Sequence, residues 1–274
     1  IESVLESLGE ILYADPVRSV RAMSVVPNDR YFSQQWHLQA PSLYPGSSNA
    51  QSAWSRTRGS SGVTVAVLDT GILYRPTHPD LGARLIRQGG SSQPIAGWDM
   101  IDPIWSARDS NARDPKPFDM GDWTTSGMIQ RYGQDCSPVS DSSWHGSHVA
   151  GIIGAATNNP VGISGVHWNA RILPVRVLGA CGGMDPDIID GIYWAAGGIK
   201  VGQASDNRYP ARVINLSLGG RGPCPDSYQE AINYALSRGA VITVAAGNDG
   251  VDASDSSPAN CRGVIAVGAV AKSG

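Results

Sequence analysis

Long apolar runs are missing from this 274-residue sequence, and no stretch approaches the roughly 20 residues that a transmembrane helix needs. A membrane is therefore not an expected partner. A basic excess is missing as well. Lys and Arg total 21 against 24 Asp and Glu, for a net charge of −3. Without surplus cations to displace phosphate counterions, a dedicated nucleic-acid binder is excluded. Close-spaced cysteine pairs are absent: Cys136, Cys181, Cys224 and Cys261 offer no CxxC metal or redox motif. Phe occurs only twice, and charged residues make up 16% of the chain. At 41% hydrophobic, a chain of this length still buries a sizeable core. No basic n-region opens the sequence, and it begins on Ile1 instead of Met, so its start reads as a cut.

What is present is small. The 33 Gly and 18 Pro suit a loop-rich fold with many tight turns. Residues 63–68 form a β-branched apolar run ending at Asp69-Thr70-Gly71, which reads as a buried strand and a turn. Further strands are predicted over 171–178, 212–218, 240–246 and 263–270. Pro174 places the first of these at an edge or an irregular position. Residues 145–156 look helical. A second helix starts at Asp185 as cap, with Pro186 in its first position. A third starts at Asp226 with Gln229 three residues on, and Gly239 stops it. Strands alternating with helices predict right-handed βαβ units and an α/β fold: a doubly wound, mainly parallel sheet with helices on both faces.

Two segments stand outside that pattern. Residues 99–122 hold six Asp and three basic residues among Pro, Trp and Gly, and read as a long functional or metal-ordered loop. Residues 1–26 read as a helix leading into a strand.

In open parallel sheets, reactive groups gather beyond the carboxyl ends of the strands. Asp69 sits there, His145 opens a helix, and Asn248 follows the strand at 240–246. An ionised Asp beside a histidine fixes its tautomer and raises its basicity, which a general base for a serine hydroxyl requires. An amide at a strand end can donate to a developing oxyanion. Each residue alone is an ordinary turn or cap residue.

Together the segments Val67-Leu68-Asp69-Thr70-Gly71-Ile72, His145-Gly146-Ser147-His148-Val149-Ala150-Gly151, Asn215-Leu216-Ser217-Leu218-Gly219-Gly220 and Ala246-Gly247-Asn248 resemble the subtilisin-like serine protease family, in order and in spacing. The likeness runs from about residue 28 to the end. It implies a peptidase domain over 27–274 in which Asp69 orients His145 and His145 carries the serine proton. Asn248 would donate to the oxyanion. Ser217-Leu218-Gly219 and Gly182-Gly183 would form two backbone ribbons that pair with extended substrate. Ala246 and Gly247, with Ala245, would line the primary pocket. His148 shares a helix face with His145 but lacks a third zinc ligand, so it reads as a packed histidine.

The sequence departs from the family at both ends. None of its serines lies in a Gly-Thr-Ser context, so the stretch as given lacks the nucleophile and is expected to be inactive. A non-catalytic binding module of the same fold is the alternative. Residues 1–26 resemble the end of an inhibitory propeptide. Calcium is the implied structural cofactor, because it prefers hard oxygen ligands. Asp80 and Asn159 would hold one ion, with Gln35 adding an amide oxygen. Asp109, Asn111 and Asp114, with Asp122 as a further candidate, would hold a second unless Arg108 and Arg113 pair with the acids. Disulfides are expected as Cys136–Cys181 and Cys224–Cys261. The resemblance further implies a secreted monomer whose partners are polypeptide substrates and its own propeptide.

Overall fold

A computed structural model describes residues 25–74, 78–89, 93–133, 136 and 138–274. Its centre is a parallel sheet. Strand β1 is Thr64–Asp69, β2 Trp98–Asp99, β3 Arg171–Arg176, β4 Val213–Leu216, β6 Val241–Ala245 and β8 Ile265–Val267. They lie in the order β2-β3-β1-β4-β6-β8. A two-stranded antiparallel ribbon pairs β5 (Gly220–Arg221) with β7 (Ser256–Ser257). Four longer helices are α1 (Ser126–Tyr132), α2 (His145–Gly154), α3 (Asp185–Ala196) and α4 (Asp226–Ser237).

Every residue of β1 is buried, and its side chains alternate between two cores. Ala66 and Leu68 join Val175, Ile188, Ile192 and Ile232 on the face covered by α3 and α4. Val67 joins Ile172, Leu81 and Ala150 on the face covered by α2. Helices therefore cover both faces, as the doubly wound pattern predicts. Asp69 has the same parity as Val67, so its carboxylate is delivered to the α2 face.

Pro174 lies in β3, one strand in from the edge, opposite Val67 of β1. Its nitrogen faces the β2 side. There Ile172 bonds Arg84 and Arg176 accepts from Met100, while β2 pairs only with Val175 and Arg176. The missing donor thus costs the central ladder nothing.

Several local expectations shift. Met184, not Asp185, is the N-cap of α3. Asp185 is the first helical residue, and it accepts from the Tyr228 hydroxyl at 3.1 Å. Pro186 then takes the second helical position. Helix α4 is preceded by Pro225, and Gln229 spends its side chain on Asn233 and Arg262, so no capping box forms. Gly239 does end α4, at φ +78°. The strand expected at 263–270 shrinks to three residues. Cys136–Cys181 and Cys224–Cys261 are both disulfides, with Cα separations of 4.3 and 5.2 Å. Residues 1–24, most of the expected propeptide remnant, lie outside the described residues.

Candidate active site

The carboxyl end of β1 and the amino end of α2 meet at Asp69 and His145. The two residues are 76 positions apart, yet His145 Nδ1 lies 2.8 Å from Asp69 Oδ1 and 3.0 Å from Oδ2. Asp69 is fully buried and accepts the Thr70 N–H at 2.7 Å. The His145 side chain is 44% exposed, so Nε2 is left to the cleft. The hydrogen bond that the Asp69 carboxylate accepts from Nδ1 raises the His145 pKa above the ordinary imidazole value. Burial opposes this, and the charges of Asp69, Asp122 and Asp119 add to it. An imidazole held at Nδ1 by a buried carboxylate and open at Nε2 is equipped to accept a proton from a bound nucleophile.

Glycine makes this approach possible. A Cβ at Gly146 would lie 2.1 Å from the Gly71 carbonyl oxygen and 3.2 Å from the Asp69 Cβ. Helix α2 can therefore seat its first turn on the β1 turn only with hydrogen at position 146.

His145 lines a cleft of about 810 Å³ together with Thr70, Gly182, Gly183, Ser217, Leu218 and Gly219. The two segments expected to bind substrate thus flank the histidine. The disulfide Cys136–Cys181 sits in the wall of the same cleft. Asn248, Ala246 and Gly247 follow β6 at the same carboxyl end of the strands, but they are not among the residues lining this cleft. Asn248 is exposed, and Ala246 instead bonds Val267 through its N–H at 2.9 Å. His148, expected to be packed, is exposed on α2.

The calcium candidates fall into two groups. Asp80 is buried; its carboxylate accepts from Asn159 Nδ2 at 3.0 Å and from the Ile163 N–H at 2.9 Å. Gln35 lies nearby in the fold but is spent elsewhere: its amide both donates to and accepts from the Ser164 backbone, at 2.9 and 2.7 Å. Asp29, which the sequence reading passed over, is buried and accepts the Asn158 N–H at 2.9 Å. Two buried carboxylates thus accept from the loop 157–163, while Asn159 turns its NH₂ to Asp80 and its Oδ1 accepts the Val161 N–H at 2.9 Å. The only sequence signal for Asp29 was its place in Asn28-Asp29-Arg30.

In the second group, Asn111 lies between its neighbours: its N–H donates to Asp109 at 3.1 Å and its amide to Asp114 at 3.3 Å. Lys116 pairs with Asp114 at 2.7 Å. The arginines expected to compete turn away from Asp109 and Asp114. Arg113 binds Asp187 at 2.7 Å and also Asp190, and Arg108 stacks 3.6 Å over the Trp123 ring. Asp122 faces Ser143, whose hydroxyl is 2.7 Å away.

The subtilase family profile matches residues 60–274. An extracellular protease of Xanthomonas campestris pv. campestris is 43% identical, covering 98% of this chain and 44% of the relative. An extracellular basic protease of Dichelobacter nodosus is also 43% identical, over 90% of this chain and 38% of its own. The chain thus spans less than half the length of these curated relatives. Among solved structures, a protease from Pseudoalteromonas arctica superimposes with a TM-score of 0.80 at 42% identity, covering 91% of this chain and 67% of that one. With the profile running through both β1 and α2, and with Asp69 and His145 in contact at their junction, the chain belongs to the subtilase family of peptidases.

Proposed function

We propose that the whole protein is a secreted serine endopeptidase in which Asp69 and His145 are two members of an Asp-His-Ser triad. The observation that supports this most is the contact of His145 Nδ1 with a fully buried Asp69 in the wall of the cleft. In this reading Asp69 holds the Nδ1–H tautomer. Neutral His145 takes the serine proton at Nε2 and returns it to the leaving amine. The peptide carbonyl carbon bonds to the serine oxygen, and the resulting oxyanion is stabilised by the Asn248 amide. Substrate lies extended between Gly182-Gly183 and Ser217-Leu218-Gly219, held by main-chain hydrogen bonds.

The serine is assigned to chain beyond residue 274, since no serine within 1–274 lies in a Gly-Thr-Ser context. Residues 1–274 alone should then be inactive. Secretion is supported by the extracellular relatives and by the two disulfides. Asp29, Asp80 and Asn159 would hold a structural calcium ion, and Asp109, Asn111 and Asp114 a weaker second one, because Lys116 already neutralises Asp114. The remaining assignments are an inhibitory propeptide over residues 1–26 and a monomeric mature enzyme.

The test is labelling of the full-length protein with a serine-directed phosphonofluoridate, alongside cleavage of an unstructured polypeptide. Labelling and cleavage are expected, and both should be lost in His145→Ala. Binding of polypeptide without labelling or cleavage would favour a non-catalytic module instead.

A further inference from the structure

Asp119 is a buried carboxylate that the triad does not use. It is 1% exposed and, among the described residues, forms no ion pair. Burial pushes its pKa up, and the hydrogen bonds from Thr70 and Gly121 together with the charge of nearby Arg176 oppose that rise, so these donors are what hold a carboxylate in this position. Its two oxygens are divided between two donors: Oδ2 accepts from the Thr70 hydroxyl at 2.6 Å and Oδ1 from the Gly121 N–H at 2.8 Å. Thr70 directly follows the orienting Asp69. Its Oγ1 in turn accepts the Gly146 N–H at 2.9 Å, and Gly146 directly follows His145.

We propose that Asp119, acting through Thr70, is a positioning residue for His145. A hydroxyl has one proton to give and two lone pairs. An ionised carboxylate can only accept, so Asp119 commits the Thr70 proton to itself. The Thr70 lone pairs are then directed to the Gly146 N–H, one of the otherwise unpaired donors of the first turn of α2. The chain Asp119–Thr70–Gly146 thus anchors the turn that carries His145 against the strand end that carries Asp69. An amide at position 119 would break the arrangement. Its single oxygen cannot serve both Thr70 and Gly121 in their present places. If its NH₂ faced Thr70, the Thr70 hydroxyl would have to accept from it and its own proton would lose its acceptor.

This inference rests on the peptidase reading, and three variants of the full-length protein test it. Thr70→Val keeps the shape and loses the hydroxyl. Asp119→Asn keeps the shape and loses the acceptor-only character. Thr70→Ser restores the hydroxyl. Rates are taken per active site titrated with the phosphonofluoridate, so loss of folded protein does not count as loss of rate. Thr70→Val and Asp119→Asn should lower kcat by about 10- to 100-fold with KM within about threefold, and Thr70→Ser should stay close to wild type. The low-field proton resonance of the His145 Nδ1–H should weaken or vanish in the first two variants and persist in the third. That signal needs no turnover, so it reports on positioning even if the wild type proves inactive and the peptidase reading falls. An unchanged resonance, or unchanged kcat per titrated site, in both Thr70→Val and Asp119→Asn would overturn the proposal. If one of the two fails to fold, the other decides.

Discussion

Replacing Gly146 by Ala tests how the site is assembled with the smallest possible change. The added methyl carbon would lie 2.1 Å from the Gly71 carbonyl oxygen, and ordinary contact begins near 3.4 Å. The obstacle is backbone, not the end of a mobile side chain, so α2 must back away from the β1 turn by about 1 Å. The same motion stretches the His145–Asp69 contact from 2.8 Å to beyond hydrogen-bonding reach. A displacement of that size at a catalytic pair costs about 100-fold in rate, and overpacking costs about 1–3 kcal/mol in stability. The assay is kcat and KM of the full-length protein on a chromogenic peptide, with thermal unfolding measured in parallel. The loss should fall on kcat, because the cleft walls at 179–183 and 217–220 belong to other segments. A variant with wild-type kcat would show that the approach of helix to strand does not set the geometry of the pair.

Other consequences are as direct. Replacing Cys136 and Cys181 by Ser opens a loop of sequence separation 45, for which chain entropy predicts a loss of roughly 4 kcal/mol; thermal unfolding would show it as a large fall in Tm. Asn248→Ala should lower kcat by about 10²–10³-fold with little change in KM, a magnitude carried over from subtilisin itself rather than worked from this site; an unchanged kcat would remove Asn248 from the oxyanion role. Chelating calcium should lower Tm and shorten the thermal lifetime without stopping turnover in protein that is still folded. Asp29→Asn should reproduce much of that loss, whereas Gln35→Glu should not abolish calcium stabilisation, since the Gln35 amide is engaged with Ser164.

The sheet was legible because its signals are local. The run before Asp69 is short, β-branched and bounded by Gly71, and its length and branching together select a strand buried on both faces over a buried helix. Asp69 and His145 could be paired because a strand-end carboxylate and a helix-start histidine each sit in a recognisable local motif. Long-range pairing was less legible. Asp119 was one of six acids in a loop, and nothing within the loop tells which of them faces Thr70. Gln35 and Asp29 are near neighbours in sequence, and only the packed loop 157–163 shows which carries its oxygens to Asn158 and Asn159. The helix caps slipped by one residue because Asp185 and Gln229 found tertiary partners, Tyr228 and Arg262, that compete with capping.

The pH dependence of kcat/KM for the full-length protein and its Asp69→Asn variant, followed from about pH 5 to pH 9, bears most directly on the Asp69–His145 pair as the proton-transfer centre. Asp69 raises the His145 pKa, and only neutral imidazole accepts the serine proton. Wild-type activity should therefore climb with pH through a midpoint above the ordinary imidazole value of about 6.5. In Asp69→Asn the midpoint should move down, and the plateau should fall by about 10⁴-fold, the loss typical of such triads. A variant with the same midpoint and plateau as wild type would contradict the account.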